Sequence, residues 1–281
     1  MPQRIGWRRE GSKRHFRYID AEGRRITDKE KLERIRALVI PPAWKDVWIS
    51  PSPRTKLQAT GVDAAGRKQY LYHPVYRAKQ EQAKYDKLIR FAEKLPELRA
   101  AMSAHMELDG LPAEKVAAIA VRLINLGWFR VGGDRYAKTS RTFGITTLRK
   151  SHVTVRGSRI TFKYRGKHRV LVRTAIVDPE LAAAMRKLRD VPGGSRLFRY
   201  ELPDGSYCNL TGAKLNDYIE EHMGDEFTAK DFRTWGGTLI AAICFAEHGL
   251  PETETQAKKV VASVMRSVGA KLGNTPAVAR T

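Results

Sequence analysis

The stretch HVTVRGSRITFKYRGKHRVLVRT, residues 152–174, interrupts a largely helical half of the chain and decides its fold class. Apolar and polar residues alternate with a period of two, as expected of half-buried strands, in HVTVR (152–156), RITFKY (159–164) and RVLVRT (169–174). Two segments separate these three strands, Gly157-Ser158 and Arg-Gly-Lys-His, and both are typical of hairpin turns. We therefore predict a β-hairpin cluster, with Gly166 and Lys167 in or beside a tight turn.

Helical periodicity surrounds this cluster on both sides. We predict helices at about 75–94, 96–107, 113–127, 178–189, 212–222, 228–247 and 253–270. Before residue 75 the pattern favours strands at 15–20, 44–50, 56–63 and 67–73, with one short helix from about Asp28 to Leu38. The predicted fold class is α+β, with a small N-terminal antiparallel β-sheet domain (1–80) and a larger, mainly α-helical domain (81–281) that contains the hairpin cluster.

The charge balance is the strongest signal in the composition. The 281 residues include 52 Lys and Arg against 30 Asp and Glu, a formal net charge of +22, while 42% of residues are hydrophobic. A globular protein with this surface is expected to bind a polyanion, and nucleic acid is the commonest one.

Other classes of protein find little support in the sequence. There is no run of 18 apolar residues for a membrane span, and the N-terminus is too polar for a secretory signal. Cys208 and Cys244 alone imply no disulfide framework, which suits a reducing cytoplasm. The seven histidines show no metal-ligand spacing, and no glycine-rich nucleotide-binding motif is present, so no metal and no cofactor are expected.

Three cations stand in unusual settings, each with a plain structural alternative. Arg130 lies in an apolar segment before two glycines, or else forms an ordinary helix-end ion pair. Lys167 lies in the predicted hairpin turn, where a solvated lysine is the usual outcome. Arg233 lies in the apolar helix FRTWGGTLIAAICF, where Asp231 or Glu247 would be its structural partner.

A basic and aromatic strand, RKQYLYH (67–73), is the second candidate site. Tyr70 and Tyr72 face the same side of a strand, where they either pack in the core or donate hydroxyl hydrogen bonds to nucleic-acid phosphates.

The order and spacing of these segments resemble the type IB DNA topoisomerases, in particular the compact poxvirus-like group found also in bacteria. The resemblance covers essentially the whole chain. It is carried by DAAGRKQYLYHP (63–74), FRVGGDRYA (129–137), FGITTLRKSHV (143–153), KYRGKH (163–168), KDFRTWGGT (230–238) and GNTPAVAR (273–280).

The resemblance implies an isomerase that relaxes supercoiled duplex DNA through a transient 3′-phosphotyrosyl break, without ATP or metal. Its catalytic residues would be Arg130, Lys167, Arg233 and Asn274, around the scissile phosphate. Two arginines can hold the nonbridging oxygens, and Asn274 adds a hydrogen bond where many relatives carry His. Lys167 would protonate the leaving 5′ oxygen.

In the family, the nucleophilic tyrosine lies nine residues after the position of Asn274. In this chain the tyrosine would therefore be at position 283. The last residue here is Thr281, so we expect the catalytic domain (81–281) to stop just before the nucleophile and these residues to bind DNA without cleaving it. The resemblance also implies a set of DNA-binding residues. These are Arg67, Lys68, Gln69, Tyr70, Tyr72 and Tyr136.

The expected partner is double-stranded DNA, clamped by a monomer in the bacterial cytoplasm, at the nucleoid, with no membrane contact. Two alternatives remain. One is a tyrosine recombinase or integrase, although these usually carry His-x-x-Arg where this chain has Lys230-Asp231-Phe232-Arg233, and their N-terminal domains are helical. The other is a non-cleaving DNA-binding protein.

Overall fold

The computed structural model describes residues 5–12, 15–275 and 279. The chain forms two compact units, Met1–Asp86 and Lys87–Thr281. No helix in these described ranges is both long enough and apolar enough to cross a membrane. The expected α+β class is confirmed: a five-stranded antiparallel sheet near the N-terminus is followed by a mainly helical region with smaller sheets.

The first unit is built on one antiparallel sheet with the strand order β2-β1-β3-β4-β5. Its elements are β1 (Trp7–Ser12), β2 (His15–Ile19), α1 (Lys29–Ala37), β3 (Lys45–Ile49), β4 (Leu57–Val62) and β5 (Lys68–Tyr72). Asp28 caps α1 by accepting a hydrogen bond from the Lys31 backbone N–H at 2.8 Å. Ile35 of α1 packs with Trp7, Val47 and Ile49 in the core of this unit.

The second unit contains most of the helices, and the boundary between the two units falls within α2. Its elements are α2 (Pro74–Glu107), α3 (Ala113–Gly127), α4 (Asp134–Thr139), β6 (Val153–Arg156), β7 (Arg159–Arg165), β8 (Leu171–Val177), α5 (Pro179–Asp190), β9 (Arg199–Glu201), β10 (Tyr207–Asn209), α6 (Gly212–Met223), α7 (Ala229–His248) and α8 (Glu254–Leu272). The centre is α3, in which the run Val116–Val121 is fully buried. Strands β6, β7 and β8 form a three-stranded antiparallel sheet.

The structure corrects one expected pair of helices and contains short elements that were not predicted. The helices expected at 75–94 and 96–107 are one helix, α2, that continues through Pro96. Proline removes one helical hydrogen bond, but Phe91, Leu95 and Leu98 form a continuous buried stripe across that position and hold the helix together. The short helix α4 and the strand pair β9 and β10 were not predicted, because elements of three to six residues carry too little periodicity.

Candidate active site

Arg130 follows directly on the end of α3. The helix ends at Gly127, and Trp128 after it adopts a left-handed backbone conformation with φ 50° and donates its N–H to the Ile124 carbonyl. The Arg130 carbonyl oxygen accepts from the Ile145 backbone N–H at 2.7 Å. Gly144 permits this crossing, since a Cβ atom there would lie 2.4 Å from the Arg130 oxygen. The backbone of Arg130 is therefore fixed on both sides.

Arg233 lies at the start of the second turn of α7. Thr228 is the N-cap residue of this helix, and the Asp231 carboxylate accepts from its backbone N–H at 2.8 Å and from its hydroxyl at 3.0 Å. One turn beyond Arg233, Gly236 lies against the indole of Trp128: a Cβ atom there would lie 2.2 Å from Trp128 Nε1. This close approach of α3 and α7 brings the Trp128 carbonyl oxygen to Arg233, which donates to it through Nη1.

The C-terminal end of α8 joins the two arginines. Arg233 donates through Nη2 to the Leu272 carbonyl oxygen at 2.6 Å, and Arg130 donates through Nη1 to the same oxygen at 3.3 Å. Gly273 then turns the chain in a left-handed conformation, and Asn274 follows. Arg130 Nη2 donates to Asn274 Oδ1 at 2.5 Å. Three of the four residues proposed as catalytic from the sequence therefore meet at one point.

Burial and mutual repulsion shape the electrostatics of this cluster. Burial, followed by the charge of Arg130, lowers the pKa of Arg233 to about 10, and burial also lowers the pKa of Arg130. In the described part of the chain, neither guanidinium has a carboxylate partner. The expectation that Asp231 or Glu247 pairs with Arg233 is wrong: Asp231 pairs with Lys87 at 2.9 Å, and carbonyl oxygens take its place at Arg233. Such a paired cationic site is suited to an oxyanion with several acceptor atoms.

Tyr164 is a residue of this site that the sequence reasoning missed. It lies on the buried face of β7, and burial raises its pKa to about 12, an effect that the positive charges of Arg233 and Arg130 oppose. The alternation of RITFKYR does place Tyr164 on the inner face with Ile160 and Phe162. Nothing in that pattern indicates that the inner face meets two arginines.

Lys167 lies in the turn between β7 and β8, as expected from the sequence. The turn is a single 3-10 segment, Lys167–Arg169, in which His168 and Arg169 have φ values of 59° and 61°. Two consecutive left-handed residues other than glycine are uncommon and carry conformational strain. Among the described residues no hydrogen bond or ion pair joins the exposed Lys167 side chain to Arg130, Arg233 or Asn274.

The first unit carries a separate aromatic and basic surface. Lys68, Tyr70 and Tyr72 share the exposed face of β5, and the tyrosine rings stack with centroids 6.2 Å apart. They line a cleft of about 1110 Å3 together with Arg8 and Lys56. The side chains of Tyr70 and Tyr72 are 48% and 40% exposed, so the alternative that they pack in a core is wrong.

Arg67 and Gln69 hold the turn that precedes this surface. Both side chains donate to Asp63 Oδ2, at 2.9 Å and 2.8 Å. Together with the backbone N–H of Arg67, which is the largest cause, they lower the pKa of Asp63 to about 2.

Tyr136 lies elsewhere, on α4, and is 63% exposed. In residues 5–12 and 15–275, no three His, Cys, Asp or Glu side chains cluster as metal ligands would.

Comparison with known proteins identifies the family. The family described as "Eukaryotic DNA topoisomerase I, catalytic core" matches residues 73–281, and "Bacterial DNA topoisomerase IB, N-terminal domain" matches residues 15–63. The DNA topoisomerase 1B of Acanthamoeba polyphaga mimivirus is 32% identical over 277 residues, which cover 96% of this chain and 82% of the viral protein. The DNA topoisomerase 1B of vaccinia virus (strain Copenhagen) is 21% identical over 233 residues, or 80% of this chain and 69% of the relative. The chain therefore belongs to the type IB DNA topoisomerase family.

Proposed function

We propose that this protein relaxes supercoiled duplex DNA, without ATP or a metal ion, through a transient single-strand break with a 3′-phosphotyrosyl link. The observation that carries the proposal is the meeting of Arg130, Arg233 and Asn274 at the end of α8. A buried pair of guanidinium groups with no carboxylate partner among the described residues is suited to one phosphodiester.

The arginines supply charge stabilisation. Attack on a phosphodiester builds negative charge on the nonbridging oxygens, and guanidinium groups that are already oriented by carbonyl oxygens stabilise that charge with little reorganisation. Arg130 and Arg233 are fixed in this way by the carbonyl oxygens of Trp128 and Leu272. Their N–H groups beyond those contacts are the donors for the phosphate.

Asn274 contributes a further donor. A guanidinium group only donates hydrogen bonds, so its contact with Asn274 assigns the amide oxygen Oδ1 to Arg130. The amide Nδ2 group is then the part of Asn274 that can donate to a phosphate oxygen. Many relatives carry His at this position, and a histidine ring nitrogen would serve the same purpose.

Lys167 is the proposed general acid. The tyrosine oxygen forms a bond to phosphorus and loses its proton to solvent water, while the bond to the 5′ oxygen breaks and that oxygen takes a proton from Lys167. The phosphotyrosyl bond conserves the energy of the broken bond, so religation by the 5′ hydroxyl needs no ATP.

Further DNA contacts are proposed on both units. Lys68, Tyr70 and Tyr72 offer an ammonium group and two hydroxyl groups on one face, which suits a phosphate backbone. Arg67 and Gln69 contribute from the same hairpin, where both are bound to Asp63. Tyr136 is exposed on α4 and is proposed to reach the duplex near the cleaved bond.

We further propose that the protein works as a monomer that clamps one duplex. A bacterial cytoplasm with nucleoid DNA is the proposed setting. The match to the bacterial N-terminal domain supports that setting, whereas the mimivirus and vaccinia relatives are viral proteins.

Plasmid relaxation tests the activity. The natural gene product, translated to its stop codon, should relax a negatively supercoiled plasmid in EDTA without ATP. The 281-residue chain should bind the same plasmid. Retained binding without relaxation by the natural product would replace this proposal with a recombinase or a non-cleaving DNA-binding protein.

Lys167 provides a sharper test of the chemistry. In the natural product, Lys167→Ala should slow single-turnover cleavage by about 10²–10⁴-fold, the usual contribution of a general acid. A substrate in which a weakly basic thiol replaces the 5′ leaving oxygen needs no proton, so it should restore most of the rate. A variant that stays equally slow on both substrates would exclude Lys167 as the proton donor.

A further inference from the structure

The three-stranded sheet of the second unit has a solvent face that the active site does not use. Along β7, residues Ile160, Phe162 and Tyr164 are buried, while the side chains between them are exposed. The exposed face includes five cations: Arg156 on β6, Arg159, Lys163 and Arg165 on β7, and Arg173 on β8. Four of them lie directly opposite another cation: Arg156, Arg159, Lys163 and Arg173. We call these four residues the outer cationic face.

Their positions set like charges directly opposite each other. Arg156 pairs in register with Arg159, and Lys163 pairs in register with Arg173. Directly opposed like charges on one face of a sheet destabilise it. The three-stranded sheet therefore contains two repulsive cross-strand pairs that do not stabilise it.

Carboxylates do not relieve this repulsion. None of the four cations forms an ion pair within residues 15–275. The acidic residues that follow β8 are Asp178 and Glu180, and both pair with Arg122, at 2.8 Å and 2.5 Å. Asp178 also caps α5 by accepting from the Leu181 backbone N–H at 2.9 Å.

The spacing of the two pairs is regular. Arg159 and Lys163 are four residues apart on β7, which corresponds to about 13 Å along a strand. Between the two rows, Thr161 faces Thr154 on one side and Ala175 on the other, so only small side chains separate them. The result is two cationic rows with a shallow strip between them.

We propose that the outer cationic face binds the phosphate backbone of duplex DNA at a second place, separate from the phosphate held by Arg130 and Arg233. Two cationic rows about 13 Å apart suit the phosphate rows on either side of a major groove about 12 Å wide. The phosphates would replace the missing carboxylates as counter-charges. This inference rests on the proposed DNA-binding function, but it concerns the sheet face opposite to the one that carries Tyr164.

The test compares two matched double variants of the 281-residue chain. Arg156→Gln with Arg159→Gln removes one repulsive pair from the outer cationic face. Lys187→Gln with Arg189→Gln removes two exposed cations from α5, which packs on the inner side of the same sheet. Binding to a random duplex is measured by fluorescence anisotropy over about 50–200 mM NaCl, and Tm is measured without DNA.

The expected result is specific to the outer face. Its double variant should reduce the slope of log Kobs against log salt by about 1.8, or about 0.9 for each lost phosphate contact, while Tm stays equal or rises. The α5 variant should leave the slope unchanged. An unchanged slope for Arg156→Gln with Arg159→Gln overturns the inference, and a slope that changes on double-stranded RNA but not on DNA overturns DNA as the partner.

Failure of the parent proposal looks different. If the unmodified chain does not bind duplex DNA at moderate salt, the proposed function fails and this inference fails with it. If the unmodified chain binds and the outer-face variant shows the same salt slope as the unmodified chain, the proposed function stands and this inference fails. The pair Lys163→Gln and Arg173→Gln repeats the experiment at the second row, with the same expected loss of slope.

Discussion

Arg130 and Arg233 donate to the same oxygen atom, the carbonyl of Leu272, at 3.3 Å and 2.6 Å. Two like charges are thereby held close together at the C-terminal end of a helix, where the helix dipole is negative. This arrangement uses the geometry of a guanidinium fork as well as its charge, since each group binds an anchor and keeps further N–H groups for another acceptor.

The first prediction separates fork geometry from charge. Arg233→Lys keeps a positive charge but cannot hold both Trp128 and Leu272 while also contacting a phosphate. In the natural gene product, single-turnover cleavage should fall by about 10²–10³-fold. DNA affinity should change little, because the charge is retained. Equal losses in affinity and in rate would show that Arg233 acts in binding alone.

The second prediction concerns the packing of α3 on α7. Gly236→Ala places a methyl group 2.2 Å from Trp128 Nε1, so the indole must move and the carbonyl that holds Arg233 moves with it. The free energy of unfolding should fall by about 1–3 kcal/mol, as for other overpacked cores, and cleavage should slow. Chemical denaturation measures the first effect.

Its control is the neighbouring glycine. Gly237→Ala meets only the ends of side chains, with Leu272 Cδ1 nearest at 3.2 Å, and alanine favours a helix over glycine by up to about 1 kcal/mol. This variant should be neutral or more stable. Similar losses in both variants would argue that the helix itself, and not the contact with Trp128, is sensitive.

The third prediction concerns the surface of β5. Tyr70→Phe with Tyr72→Phe removes two hydroxyl groups and no charge, so duplex affinity should fall by about 2–10-fold per lost hydrogen bond. The salt slope of binding should not change. Lys68→Gln should instead reduce the slope by about 0.9. Tyr85→Phe, at a tyrosine that is 59% exposed on α2, is the matched control and should bind as the parent does.

The fourth prediction concerns pH. Asp63 has its pKa lowered from 3.8 to about 2 in the folded protein, so the unfolded chain takes up the proton first as the pH falls. Its contribution to stability is present above about pH 4 and is lost between about pH 4 and pH 2. Asp63→Asn should flatten the fall of Tm in that window, as measured by circular dichroism. An equally steep fall in the variant would assign acid sensitivity to other groups.

Much of the fold follows from local pattern. The alternation of RITFKYR predicts a strand with one exposed cationic side, and it places Lys167 at the turn. The periodicity of residues 113–127 predicts α3 with the observed bounds. β1 was missed because WRREGS alternates weakly: Trp7 is buried, but Arg9 is held by the backbone carbonyls of Ile40, Pro41 and Trp44 instead of facing open solvent.

The active site follows from local pattern only in part. Arg130 and Asn274 lie 144 residues apart in the chain, and no periodicity indicates that they touch. The family resemblance named both residues, but it did not indicate that carbonyl groups at two helix ends hold the arginines. Likewise, the left-handed backbone of Trp128 is a property of tertiary packing, since tryptophan has no local preference for that conformation.

The contact between Trp128 and Gly236 gives the protein an internal optical probe. The indole lies against α7, while the carbonyl of the same residue receives Arg233. A displacement of Arg233 therefore moves the Trp128 carbonyl and, with it, the indole fluorophore of Trp128. In a chain in which Trp7, Trp44, Trp48 and Trp235 are replaced by phenylalanine, tryptophan fluorescence would come from Trp128 alone. Its emission spectrum would then report changes in the position of the Arg233 guanidinium.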